Sequence, residues 1–361
     1  MRKYQYLLIL FLASACGKSQ ESALPNSLTQ VQRDLIQQKV KDYPSNTQVS
    51  IAVIKNGEVS FVGLKKKDAE TSWVRNHENV FEIGSISKVF TSTLLAKLSI
   101  DKKLQLNDNI DQYIETPLKG NPQISLLQLA NHTSGLPRLP TNMDPNSNPS
   151  NPYKDYGEAQ LEFYLSNEIE ISETQKGTYL YSNLGLGLLG YILCKIEAQS
   201  YESLLQRDIF SHYAMNHSTT DRAKIKNLLI SGLDQAGREI PNWDLAAMVG
   251  AGGILSSTED LSKFALAHFD PSNQDLSLTR LSTHTVDHIS DIGLSWEIIK
   301  RRSGDIWYKH NGRTGGYYAA MIIDVNNKNG LVLLSNISGY SNHTASLDDL
   351  SFDLMKSIQN Q

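Results

Sequence analysis

A chain of 361 residues exceeds the usual single-domain size, so one large or two intimately packed domains are expected. Apolar residues make up 40% and charged residues 20%, the balance of a soluble globular protein with a real core. A net charge of −4, with no basic stripe interleaved with aromatics, argues against a nucleic-acid partner.

The N-terminus is informative. Met1-Arg2-Lys3 is a positive n-region, residues 4–13 are a short apolar core, and Leu12-Ala13-Ser14-Ala15-Cys16 ends it in small residues. Residues 1–16 therefore read as an export signal, too short for a permanent span. The cysteine after Ala15 resembles a bacterial lipoprotein box, in which that cysteine is lipidated and becomes the new N-terminus. Ala13 departs from the leucine usual there, and an ordinary signal peptide cut after Ala15 is the other reading. Residues 17–27 are polar and read as a tether. The expected location is the bacterial envelope or periplasm, with membrane association through a lipid on Cys16. There are 2 cysteines, so a lipidated Cys16 leaves Cys194 without a disulfide partner. Within the apolar helical run 188–193, Cys194 reads as a buried, inert thiol. No cluster of His, Cys and carboxylates shows metal-ligand spacing, so neither metal nor cofactor is expected.

Along the chain, residues 28–40 suit a first helix. Runs 49–54 and 59–63 flank Lys55-Asn56-Gly57-Glu58, a β-hairpin signal. Next comes Phe81-Glu82-Ile83-Gly84-Ser85-Ile86-Ser87-Lys88, opening a helix whose Val89, Phe90, Leu94, Leu95 and Leu98 face a core. Ser85 and Lys88, three apart, share one helical face, and a lysine neutral part of the time can take the serine's proton. Ser-x-x-Lys is common by chance, however, and recurs at Ser99 and Lys102. From about 104 to 205 the chain is helical and loop-rich. Ser125 can cap a short helix that Thr133-Ser134-Gly135 ends, and residues 142–156 are too polar for a core and read as a surface loop near a cleft. Thr258-Glu259-Asp260 starts a later helix, and runs 306–309, 317–324 and 330–335 read as three successive strands. The fold class is α/β of the α+β type. One antiparallel sheet, flanked by helices, is shared by the hairpin and the C-terminal strands. Residues 28–104 and 206–361 form this part, and a mainly helical part, 105–205, is inserted between them.

Two further short stretches carry chemistry. In Tyr181-Ser182-Asn183, a tyrosine beside an ammonium can be held partly ionised as a base, and Asn183 can position an amide. In His310-Asn311-Gly312, followed by Arg313-Thr314-Gly315-Gly316, a glycine on a strand edge lets a substrate backbone lie alongside. Each also reads as an ordinary polar loop or strand turn. In this order the three stretches resemble the serine hydrolases that include class C β-lactamases, D-alanyl-D-alanine carboxypeptidases and related esterases. The stretches 132–137, 251–253, 257–261 and 314–316 add to the resemblance, which covers residues 28–356.

The resemblance implies a β-lactamase/transpeptidase-like fold and acyl transfer. Ser85 would be the nucleophile, with Lys88 and Tyr181 sharing the proton traffic as a coupled pair. Asn183, His310, Asn311, Gly312 and Arg313 would bind substrate, and the N–H groups of Ser85 and Arg313 would form an oxyanion hole. The substrate would be a peptidoglycan stem peptide, a β-lactam or an ester. Histidine at 310, where lysine is usual, leans toward the carboxypeptidase or esterase members. Arg313 either replaces that charge by reaching into the cleft or points to solvent. The rivals are an esterase or amidase of the same fold on a small non-peptidoglycan substrate, and a non-catalytic penicillin-binding or regulatory lipoprotein.

Overall fold

The computed structural model describes residues 28–172 and 174–359; the expected export signal, Cys16 and the expected tether lie outside the described residues. The organising piece is a hairpin, β1 (Gln48–Lys55) and β2 (Glu58–Lys67), closed by Asn56 at φ 52° and Gly57 at φ 83°. Two positive φ values in a two-residue loop match the right-handed twist of the flanking strands. Strand β3 (Glu70–Val74) continues the meander. A short strand, β4 (Val80–Glu82), then leads through the tight turn Gly84–Ile86 into α2 (Ser87–Ile100).

The helix before the hairpin, α1 (Gln30–Val40), starts two residues later than residue 28. The Thr29 side chain accepts from Gln32 N–H while Gln32 reaches back, and this capping box fixes the boundary. The helix predicted after Ser125 is only α3 (Leu126–Ala130), because His132 adopts φ 62° and turns the chain before the Thr-Ser-Gly run. Then follow α4 (Glu158–Asn167), α5 (Asn183–Glu197), α6 (Tyr201–Leu205), the small ribbon β5 (Gly232–Leu233) with β6 (Glu239–Ile240), and α7 (Val249–Gly252). Strand β7 (Leu255–Ser257) pairs with β4 and feeds α8 (Thr258–Ala267), whose N-cap is Ser257. After α9 (Gln274–Thr279) the chain makes β8 (His284–Thr285), β9 (Ser290–Ile292), β10 (Glu297–Lys300), β11 (Ile306–Arg313), β12 (Tyr318–Asp324) and β13 (Asn329–Ser335), and ends in α10 (Thr344–Gln359).

The main sheet has nine strands in the order β3-β2-β1-β13-β12-β11-β10-β9-β8, all antiparallel. Its central strands are buried on both faces, which is why 318–323 and 331–334 read as unbroken apolar runs. Tyr318, Ala320 and Ile322 join a core with Ile36 of α1 and Leu347, Leu350 and Leu354 of α10. Ala319, Met321 and Ile323 face the larger core, which holds Phe90 of α2, Leu188 of α5 and Phe264 of α8. The period-2 alternation of side chains thus sorts one strand between two cores.

The loop at 142–156 corrects the sequence reading. It lacks regular structure, yet Met143, Tyr153 and Tyr156 are buried in the larger core. Its polar residues bond locally: Ser147 Oγ donates to the Asp144 carbonyl, and Asn151 N–H to Asn148 Oδ1. That frees the aromatics to pack.

Candidate active site

Ser85 lies in the turn Gly84–Ile86, where β4 hands the chain to α2. One turn on, Lys88 is fully buried, with Nζ 3.1 Å from Ser85 Oγ and 2.6 Å from the Ala251 carbonyl. Among the described residues, no carboxylate pairs with it. Burial, aided by the charge of Arg138, holds the Lys88 amine well below the usual lysine range. In its neutral form, which burial favours, the amine can donate a hydrogen to the Ala251 carbonyl and offer its lone pair to the serine proton.

Tyr181 precedes α5, and its hydroxyl hydrogen-bonds with the Ser85 side chain. Burial pushes its phenol above the ordinary value, so the group is protonated at neutral pH. Burial thus works against the expected pairing of a partly ionised tyrosine with an ammonium, since it favours the intact phenol and lowers the amine. The ring has Lys88 Nζ 4.9 Å and Arg138 Cζ 5.1 Å from its centroid, and the His132 ring at 4.5 Å. His132 is itself buried and neutral, its Nδ1 accepting from Ser182 N–H at 3.1 Å. Ser182 caps α5 through Gly185 N–H, so Asn183 is held at the helix start. The Asn183 amide donates to Tyr153 hydroxyl at 3.1 Å, while its Oδ1 is buried without a partner.

Strand β11 brings the third group. Past the Lys309↔Glu297 pair β10 no longer covers it, so residues 310–313 pair with β12 alone and present their other edge to the serine turn. A methyl placed on Gly312 would lie 1.9 Å from the Ile83 carbonyl and 2.9 Å from Ser85 N. One placed on Gly84, at φ 49°, would lie 2.8 Å from Arg313 N. These two glycines let the turn and the strand approach until the Ser85 and Arg313 amides are neighbours. His310 is buried, with Nδ1 2.7 Å from the Asn311 carbonyl, and burial lowers its pKa to about 3. It is therefore neutral.

The side chains of Asn311 and Arg313 do not join the site. Alternation along β11 turns them to the α10 face, where Arg313 pairs with Asp348 at 2.6 Å and Asn311 donates to the same carboxylate at 3.3 Å. Of the two choices for Arg313, the guanidinium does not reach into the cleft; it is exposed on the α10 side, anchored there by Asp348. What these residues bring to the cleft is backbone.

The pocket over Ser85 is narrow, about 20 Å³, and walled by Tyr153, Asn183, Trp243 and Leu245. Trp243 is held by Glu82, a buried carboxylate that accepts from Trp243 N–H and Asn242 Nδ2, each at 2.8 Å. Sequence reasoning missed His132, Arg138, Tyr153, Trp243 and Glu82 as individuals. The available signal was the 132–137 stretch for His132 and, next to it, Arg138, the loop 142–156 for Tyr153 and the run before Ser85 for Glu82; Trp243 lies in none of these. Cys194 is half-buried beside a cavity of about 510 Å³, not fully buried as expected, and burial pushes its thiol up to about 12. The adjacent His77 and Glu78 do meet the distant Glu259, with ligand atoms within 4.8 Å of one another. Glu259 there already pairs with Lys263 at 3.2 Å.

A nine-stranded antiparallel sheet with helices on both faces, and a serine–lysine–tyrosine cluster at its seam with the helical part, is the architecture of the β-lactamase/penicillin-binding group. The beta-lactamase family model matches residues 33–354, and the chain belongs to this family of serine hydrolases. A beta-lactamase of Pseudomonas fluorescens is 29% identical over 261 residues, covering 69% of each chain. Protein flp of Staphylococcus aureus (strain N315) is 24% identical over 314 residues, 80% of this chain but 59% of that longer one. Among solved structures, the fold is shared with a beta-lactamase/D-alanine carboxypeptidase from Pseudomonas syringae (TM-score 0.74, 21% identity, 90% of this chain and 99% of that one). It is also shared with an octameric penicillin-binding protein homologue from Pyrococcus abyssi (TM-score 0.73, 24% identity, 90% and 78%). No helix among the described residues is long and apolar enough to cross a membrane.

Proposed function

We propose that the protein is an acyl-transferring serine hydrolase that works through an ester on Ser85, acting on D-Ala-D-Ala-type peptides or β-lactams. The observation that carries this is the fully buried Lys88 amine, 3.1 Å from Ser85 Oγ and held by burial well below the usual lysine range. In the first step Ser85 Oγ bonds to the acyl carbon as its proton passes to Lys88 Nζ. The carbonyl oxygen, now an oxyanion, lies between the Ser85 and Arg313 amides. The Tyr181 phenol, hydrogen-bonded with Ser85 and next to Lys88, passes a proton to the departing amine or alcohol and recovers one from Lys88. A water then repeats the cycle on the acyl-enzyme, releasing the acid and restoring the Ser85 hydroxyl. The unpartnered Asn183 Oδ1 suits a substrate amide N–H, and the free edge of β11 suits its backbone.

A second reading, an esterase or amidase on a small substrate, draws on a specific observation. With His310 neutral and Arg313 tied to Asp348, β11 offers no cation to a substrate carboxylate. The two readings divide on one comparison. Soluble protein, begun near Ser19, is mixed with a fluorescent penicillin, wild type beside Ser85→Ala. Labelling of wild type alone is expected; equal labelling of both would remove Ser85 as nucleophile. Turnover of p-nitrophenyl esters without labelling would select the esterase. We further propose that the chain is exported to the envelope and anchored by a lipid on Cys16, on the strength of the N-terminal sequence.

A further inference from the structure

The cleft has one cation that the mechanism above leaves idle. Arg138 follows the stretch 132–137, and its main-chain carbonyl accepts from Asn183 N–H at 3.0 Å and Leu184 N–H at 3.1 Å. The main chain of Arg138 is thus fixed to the start of α5, at the very residue whose amide faces the substrate. Its guanidinium stands over the Tyr181 ring, 5.1 Å from the centroid, where the planar cation stacks on the aromatic face. The side chain is exposed and, among the described residues, forms no ion pair. By contrast Arg313 is taken by Asp348, Arg222 by Asp244, and Lys309 by Glu297. Burial pushes the other basic groups near the nucleophile, Lys88, His132 and His310, toward their neutral forms.

The positions fix what this cation meets. On the proposed mechanism, an acyl carbon at Ser85 with its oxygen between the Ser85 and Arg313 amides would run its acyl chain between the edge of β11 and Asn183. Arg138 stands at the Asn183 side of that channel. Its charge reaches Tyr153 as well, which bonds Asn183 and walls the pocket. A guanidinium presents paired donors in a plane, the complement of a carboxylate.

We propose that Arg138 selects acyl groups that carry a carboxylate, binding that charge on the Asn183 side of the cleft. The inference rests on the reading of Ser85 as acyl acceptor and deepens it by naming the substrate class: dicarboxylic half-esters, or peptides with an acidic group on the acyl side. The cation is thereby displaced from β11, where the resemblance places it, to the opposite wall.

The test compares two esters of similar length, p-nitrophenyl hydrogen adipate and p-nitrophenyl hexanoate, on wild type, Arg138→Ala and Arg138→Lys. Wild type is expected to favour the charged ester in kcat/KM by about tenfold, the size of one charge-assisted contact. The ratio should fall toward one in Arg138→Ala, keep an intermediate value in Arg138→Lys, and shrink in wild type as salt rises, because an exposed cation is screened. No preference in wild type, or a ratio unchanged in Arg138→Ala, overturns the proposal. The second result, with both rates lowered together, would mean that the side chain only supports α5. Intact-protein mass spectrometry separates the two layers of inference: if neither ester leaves an acyl group on Ser85, the acyl-serine reading has failed and this one falls with it.

Discussion

Burial shifts Lys88, Tyr181 and His310 all toward their uncharged forms, and it leaves Tyr181 and His310 uncharged at neutral pH. For His310 the consequence is measurable. Its pKa is about 3 folded against an ordinary 6.5, so between those values the unfolded chain binds more protons than the folded one. The stability tied to neutral His310 is complete above about pH 6.5 and is lost as pH falls toward 3. Lys88 has the same sign, but it is common to wild type and variant. Denaturant curves at pH 7 and pH 4 should therefore show wild type losing more stability than His310→Gln. The expected difference is about 3 kcal/mol, from about 1.4 kcal/mol per pH unit over the roughly 2.5 units between the unfolded pKa and pH 4. Parallel losses would show that His310 titrates normally. At this scale Ser85 and Lys88 were legible, because three residues of helix place them together whatever the fold. Their charge states were not, since those depend on Ala251, Arg138 and a core drawn from the whole chain. The direction of Arg313 was equally hidden: it depends on Asp348 lying within reach on α10, 35 residues away.

The contact between the serine turn and β11 is the element on which the chemistry turns. Gly312→Ala would set a methyl 1.9 Å from the Ile83 carbonyl, so the turn must withdraw and carry Ser85 N–H away from Arg313 N–H. Loss of one such donor costs about 3–4 kcal/mol in the transition state, or 10²- to 10³-fold in kcat. Ester turnover by Gly312→Ala should fall by that much, with a lower melting temperature. Turnover within a few-fold of wild type would mean the two elements are not so closely opposed. The strands themselves were readable from their apolar runs. The run ending at 309 nevertheless understated β11, because His310, Asn311 and Gly312 have little strand preference of their own. Pairing with Met321, Ala320 and Ala319 of β12 draws them into the ladder. The overrun predicted for α3 has a parallel cause, a single left-handed residue at His132.

Across the whole molecule, the site collects Ser85 and Lys88 from α2 and its turn, Tyr181 and Asn183 from the start of α5, and His310 from β11. The chain order of these groups was visible in the sequence, whereas the pocket walls were not. Tyr153 and Trp243 come from loops, and their packing at 5.4 Å between ring centroids follows no local pattern. The proposed lipid on Cys16 is checked at this scale. Cells producing Cys16→Ser should move the protein from the membrane fraction to the soluble one and lose incorporation of labelled palmitate. An unchanged membrane fraction would leave Cys16 an ordinary residue.

The position of β1 between β2 and β13 has a kinetic consequence. Val49 lies opposite Ser335, so the centre of the sheet joins segments separated by almost the full described length. Closing so long a loop is entropically costly and slow, and no shorter piece of chain can do it. While a nascent chain is being made, its first hairpin waits without its partner until residues 329–335 have emerged from the ribosome. The central pairing of the sheet is therefore among the last contacts that synthesis makes available.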